Sequence, residues 1–222
     1  MSVNRGTIPN LQELQAYAVN RKGQFEGVRQ SLYDFQTYAA AGQTSLSFFQ
    51  VPVGQSGKTV ADTNIEVAGS LPQPKHFLVE SIEVYLFPGV DIGTEVTTIA
   101  EVEFSNDVYS VAKSGSLNFF IGSKTYLEEA PIGRFPPKTK LEVEAAHSIF
   151  KTEATASDSE EQVSTDYAAF CGRPYYVNPA VLLIPTQNFK VTLNWPAAVA
   201  LPSAADARIG VVLDGVLYRQ SQ

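Results

Sequence analysis

The chain has 222 residues, 44% of them hydrophobic and only 18% charged, which allows one large all-β domain or two small ones with a sizeable core. A net charge of −7 and a pI near 4.9 exclude a dedicated, strongly basic nucleic-acid binder. A single cysteine, Cys171, excludes an intrachain disulfide and a cysteine-built metal site.

The charge is unevenly distributed. Residues 1–43 hold four bases (Arg5, Arg21, Lys22, Arg29) and three acids (Glu13, Glu26, Asp34), a net of +1. The remaining 12 bases and 20 acids give −8, so an acidic body follows a nearly neutral arm. Met1-Ser2-Val3-Asn4-Arg5-Gly6 has no apolar signal region, and no apolar run approaches the ~20 residues of a membrane helix. A soluble protein made in a cytoplasm is expected.

Taken in order, residues 1–43 read as an N-terminal, partly helical arm. Leu11, Leu14, Tyr17 and Ala18 fall at helical spacing behind Asn10, a suitable N-cap, with Glu13 in the position of a capping box. Gly23 and Gly27 interrupt the pattern. Val28, Leu32, Phe35, Tyr38 and Ala39 form a second short helical turn or an extended segment. Pieces this short need a surface to lie on. The arm positions expected to grip that surface are Leu11, Leu14, Tyr17, Leu32, Phe35 and Tyr38.

From residue 44 the pattern becomes that of strands, and residues 44–222 read as one domain. Leu46–Val53 is the first strand, Asn64–Ala68 a short alternating one, and His76–Phe87 a long one closed by Pro88-Gly89. Val96, Thr98, Ala100, Val102 and Phe104 line one face of another strand, and Leu117, Phe119 and Ile121 line a face of the next. Leu141, Val143 and Ala145 alternate with Glu142 and Glu144, and 151–172 is a long polar stretch read as a loop. Ala180–Ile184 and Phe189–Trp195 read as a hairpin around Pro185-Thr186-Gln187-Asn188, and Arg208–Leu213 returns the chain end to the core. Eight or nine strands with frequent turn signals and no strong helix point to a sandwich or barrel.

No catalytic constellation assembles from these residues. His76 and His147 sit at strand ends without a Gly-x-Ser-x-Gly elbow, and two histidines do not make a three-histidine metal set. Asp158, Glu160 and Glu161 lack the spacing of a cation loop. Gly54-Gln55-Ser56-Gly57-Lys58-Thr59 ends like a phosphate loop but lacks its first glycine at the needed spacing, so it reads as a turn. Glu101/Glu103 and Glu142/Glu144 each share one strand face, and Glu128-Glu129 is the remaining acid pair a glycosidase could use. The reading is therefore a non-enzyme with no cofactor and no metal. Tyr167, Phe170, Tyr175 and Tyr176, around Cys171-Gly172-Arg173-Pro174, form a candidate aromatic surface for a sugar or a protein partner.

The layout of an arm (Thr7 to Gly42), about eight strands and Pro-bounded closing strands (Val181–Trp195, Ile209–Tyr218) resembles a viral jelly-roll coat protein. The ending Leu213-Asp214-Gly215-Val216-Leu217-Tyr218-Arg219 looks like those of phage structural proteins. The resemblance implies a single jelly-roll-like antiparallel β-sandwich, a capsid subunit that self-assembles through a trimer or other capsomer into an icosahedral shell. It further implies a virion location after assembly in the host cytoplasm. The weakly basic arm argues against direct nucleic-acid binding, leaving other virion proteins or an internal membrane to intervene. The alternative is a carbohydrate- or receptor-binding sandwich of a fibre or spike.

Overall fold

The computed structural model describes residues 25–89, 104–138, 144–151, 160–167, 172–185 and 187–220. Its strands are β1 (Phe25–Arg29), β2 (Leu32–Tyr38), β3 (Ser45–Phe48), β4 (His76–Phe87), β5 (Ser116–Ile121) and β6 (Lys124–Glu129). They are followed by β7 (Glu144–Lys151), β8 (Glu160–Tyr167), β9 (Tyr175–Leu183), β10 (Phe189–Asn194) and β11 (Ala207–Gln220). Among the described residues one α-helix, α1 (Phe104–Ser114), precedes β5.

Two antiparallel sheets form the sandwich. The first runs β1-β11-β4-β9, with β2 also paired to β11, and the second runs β3-β10-β5-β6. The pairing is nested: β2 with β11, β3 with β10, β4 with β9, β5 with β6. That is a long eight-stranded hairpin rolled on itself, the jelly roll. The β7–β8 ribbon stands apart from both sheets, in the stretch of chain between β6 and β9.

The core follows from alternation along the paired strands. Ile209, Val211 and Leu213 of β11 face Ile82 and Val84 of β4 and the inner positions of β5 and β10, Leu117, Phe119, Val191 and Leu193. Each is nearly or wholly buried, and full burial of such a side chain is worth about 1.5–3 kcal/mol. β11 is the central strand of its sheet, as expected of a chain end returned to the core. Its register shifts between Asp214 and Gly215. A Cβ on Gly215 would sit 1.8 Å from the Leu78 carbonyl oxygen, so only glycine permits this approach.

Several expectations are corrected. Residues 25–38, assigned from sequence to the arm, are two strands of the chain's own sheet, β1 along Val216–Gln220 and β2 along Ala207–Leu213. The expected hairpin around 185–188 is instead a crossing between layers, since β9 pairs with β4 and β10 with β3 and β5. Residues 104–114 are a helix, seated by the Trp195 Nε1–H donating to the Val111 carbonyl at 3.0 Å. Its buried Asp107 accepts from Ser203 N at 3.0 Å and Ser203 Oγ at 2.5 Å. The polar stretch after 151 contains a strand, β8, and Asn64–Ala68 forms no strand beyond the isolated bridge Val67 to Ser70. The expected strand over 96–104 lies outside the described residues as far as 103, and its last residue, Phe104, begins α1.

Candidate interaction face

The outer side of the first sheet, opposite the core, carries an aromatic cluster built by strand register. β2, β11 and β4 place Thr37, Arg208 and Phe87 in one cross-strand row and Phe35, Gly210 and Tyr85 in the next. Cross-strand neighbours of this kind touch directly. Phe35 stacks near Phe87 with ring centroids 6.0 Å apart, and Phe87 on Tyr85 at 5.9 Å. Tyr33 extends the cluster at 6.2 Å from Phe35. All four rings are half-buried. Tyr33 Oη–H donates to the carbonyl of Val60, whose side chain is 70% exposed.

Arg208 closes one end of this cluster. Its guanidinium lies 4.6 Å over the Phe35 ring, and Nη2 donates to Asp62 Oδ1 at 2.9 Å and to the Ala61 carbonyl at 2.6 Å. Hydrogen bonds from the Thr59 amide and hydroxyl, aided by Arg208, hold the Asp62 carboxyl below the usual carboxylate range. Beside Arg208 lies an open trench of about 700 Å³ reaching from Phe87 and Pro88 to Thr37 and Ser56.

Further along the same face, ion pairs bind four segments together. Burial alone would raise the Asp214 carboxyl, but bonds from Lys138 Nζ (3.1 Å), Arg29 Nη2 (3.0 Å) and Ser31 Oγ (3.1 Å) outweigh it and lower the pKa. Arg29 Nη1 also reaches Glu80 Oε2 at 2.9 Å. Glu83 accepts the Lys138 amide at 2.7 Å and the Tyr85 hydroxyl at 2.9 Å. Lys138 thus ties the chain leading toward the β7–β8 ribbon down to β4 and β11.

The sequence candidates fall in different places. Leu11, Leu14, Tyr17 and Phe170 lie outside the described residues. Leu32 and Tyr38, expected to grip a neighbour, are buried at 4% and 0% in this chain's own core. Tyr38 Oη–H donates to the Val199 carbonyl at 2.8 Å, and its ring meets Trp195 edge-on at 5.3 Å. Phe35 belongs to the aromatic face. Tyr175 and Tyr176, adjacent on β9, point to opposite sides. Tyr175 packs on Phe135 at 4.7 Å and donates to Glu129 Oε1 at 3.2 Å; burial first, then the Glu129 charge, pushes its hydroxyl pKa up. Tyr176 is 56% exposed with the Arg173 guanidinium 5.4 Å from its ring. Tyr167 ends β8, opposite Glu144.

Glu129 is also paired with Arg134, which places this acid in a cross-layer contact with Tyr175 rather than facing Glu128 across a cleft. His76 Nδ1 lies 3.0 Å from the Pro74 carbonyl, and His147 sits opposite Ser164 on the ribbon. Lys58, from the glycine-rich turn, pairs with buried Asp34. Among the described residues no group of three or more His, Cys, Asp or Glu side chains is arranged to hold a metal, and no described helix is long and apolar enough to cross a membrane.

Tyr33, Tyr85, Phe87 and Arg208 were missed as surface candidates from sequence. Their signal is the repeated aromatic-x-aromatic pattern, Tyr33-Asp34-Phe35 and Tyr85-Leu86-Phe87, which puts two rings on one strand face. Only the core-facing set on β4 and β11 reveals which face that is. Comparison with known proteins gives no matching family, no matching curated protein and no matching solved structure.

Proposed function

We propose that the chain is a structural virion protein, a self-assembling coat subunit of an icosahedral phage or virus shell, whose principal partners are copies of itself. The observation that carries this reading is the nested eight-strand winding, β2·β11 through β5·β6, an architecture used by capsid subunits as well as by lectins and cupins. Fold alone does not choose among these uses. The low charge fraction of the chain, 18%, supports the first, because a subunit covered by neighbours leaves little of its surface as plain solvated face. Val60 on the β3–β4 connection, Tyr109 on α1, Tyr126 on edge strand β6 and Tyr176 on edge strand β9 are 70%, 66%, 47% and 56% exposed. Apolar groups exposed singly in this way are ordinary on a protein surface and do not choose among the uses of the fold.

Within this reading, residues 1–24 and the β7–β8 ribbon supply further contacts, and the virion is the protein's destination after assembly in the host cytoplasm. With a net charge of only +1 over residues 1–43, genome contact falls to other virion proteins or an internal membrane. Electron microscopy of concentrated full-length protein is the test. Capsomers, curved sheets or shells are expected; no assembly at any concentration or ionic strength would refute the reading.

A further inference from the structure

From the trench beside Arg208 we infer a binding site for a neutral oligosaccharide, independent of whether the chain builds a shell. The trench crosses three strands at their β2, β11 and β4 positions, with Thr37, Arg208 and Phe87 in direct cross-strand register as its floor. Its volume of about 700 Å³ lies in the range of small-molecule sites.

Charge decides against an anionic ligand. Both cations along the trench, Lys58 and Arg208, are already engaged in ion pairs within the protein. Lys58 pairs with Asp34 and Arg208 with Asp62, while Asp206 Oδ1 accepts the Ala40 amide at 2.8 Å. One carboxylate, Asp206, is thus left without a cation partner among the described residues, which disfavours a phosphate or carboxylate ligand and leaves an acceptor for hydroxyl groups.

Hydrogen-bonding capacity nevertheless remains, and it is held in place. Both bonds made by Arg208 use Nη2, and among the described residues Nε and Nη1 make none. A guanidinium has five N–H donors. Arg208 therefore offers oriented donors whose position is fixed by the Phe35 ring beneath and the Ala61 carbonyl beside it. Thr37 and Ser56 add hydroxyls, and Phe35 and Phe87 add aromatic carbon.

Sugars pair a ring of hydroxyls with an apolar C–H face. That chemistry asks for fixed donors and acceptors next to aromatic carbon. An amphipathic protein segment would need an apolar floor, and here the middle of the floor is an arginine. The strand spacing of about 4.8 Å is close to the length of one pyranose unit, so successive sugars of a linear oligomer meet successive strands.

The test is calorimetric titration and saturation-transfer NMR of the full-length protein with a panel of maltohexaose, cellohexaose, xylohexaose and N-acetylchitohexaose. Binding by at least one member at millimolar concentration or below is expected. Arg208→Gln should weaken it by about tenfold or more through loss of charge-assisted bonds. Because Arg208 also anchors residues 61–62, the second variant is Thr37→Trp, which fills the trench from an exposed position and should abolish binding with the circular dichroism unchanged. Absence of binding across the panel would overturn the inference. So would binding that survives both variants but is lost in Tyr176→Ala, or a peptide of residues 1–24 occupying the trench where no sugar does.

Discussion

The Phe35 ring lies across Gly210. The two residues are directly opposed in the β2–β11 register, and a Cβ added at 210 would stand 2.1 Å from Phe35 Cδ1 and 2.2 Å from Cε1. The missing side chain on the central strand is the seat on which the outer aromatic cluster is built, an aromatic covering a strand glycine. The contacts of Arg208, Phe87 and Tyr85 with that ring all depend on it.

Gly210→Ala should therefore push Phe35 off the sheet and lower stability by about 1–3 kcal/mol, the range for overpacking a filled site. Urea unfolding of Gly210→Ala, Phe35→Ala and the double variant measures it. The two changes should be less than additive, since with the ring gone the new methyl meets nothing that must move. Full additivity would mean that the two residues do not interact.

Asp34 and Lys58 set a pH signature. Asp34 is wholly buried on β2, accepts the Phe49 amide at 2.6 Å and pairs with Lys58. Burial pushes its carboxyl pKa up, and the bonds from Lys58 and Phe49 pull it back only in part. With the folded value above the unfolded one of about 4, the native state holds the extra proton between them. This group's stabilising contribution is full below the unfolded value and is lost as pH rises through the folded one. Lys58→Met should cost about 3–5 kcal/mol at pH 7, where it strands a buried charge, and much less below about pH 4. Unfolding free energies of the two proteins across pH check both the sign and the window.

Asp214 should titrate with the opposite sign. Lys138, Arg29 and Ser31 hold its carboxyl down, so its contribution is present above the unfolded value of about 4 and disappears as pH falls through the folded one. Asp214→Asn should cost about 1–3 kcal/mol at pH 7, toward the lower part because Arg29 and Lys138 approach from exposed positions. The deficit should vanish in acid. A deficit that persists at low pH would assign the effect to packing instead of charge.

The two halves of the expected arm should respond differently to substitution. Leu32→Ala should lose about 2–5 kcal/mol as a core truncation, and Tyr38→Phe about 0.5–1.5 kcal/mol for the bond to Val199. Leu14→Asp with Tyr17→Asp should leave the unfolding midpoint unchanged while impairing assembly. Thermal melts paired with particle counts separate the two cases; normal particles from the second variant would remove residues 11–17 from the contacts.

The legible parts of this fold were those where one strand face is uniformly apolar. β5 and β10 are legible from their alternation and β4 and β11 from their apolar runs, which together point to a sandwich or barrel; the jelly-roll winding is what the resemblance to coat proteins implies. β2 was hidden because its inward set is Leu32, Asp34, Gln36 and Tyr38. Asp34 is tolerable there only through Lys58, 24 residues away, a pairing that periodicity does not encode. α1 was hidden because Ser105, Asn106, Asp107, Val108 and Tyr109 are weak helix formers, so its stability comes from Trp195 and Ser203 in the tertiary structure. β9 and β10 looked like a hairpin because alternation shows which face of a strand is buried and not which sheet the strand joins. The interaction face was illegible for the same reason: it exists only once β2, β11 and β4 lie side by side.

The most direct measurement is the mass of the full-length protein by light scattering across a wide concentration range, with the same samples taken to the electron microscope. A self-assembling coat subunit should give trimers, pentamers or larger shell fragments that grow with concentration. A stable 24.1 kDa monomer at every concentration would leave the jelly roll as a free-standing binding module and end the coat-protein reading.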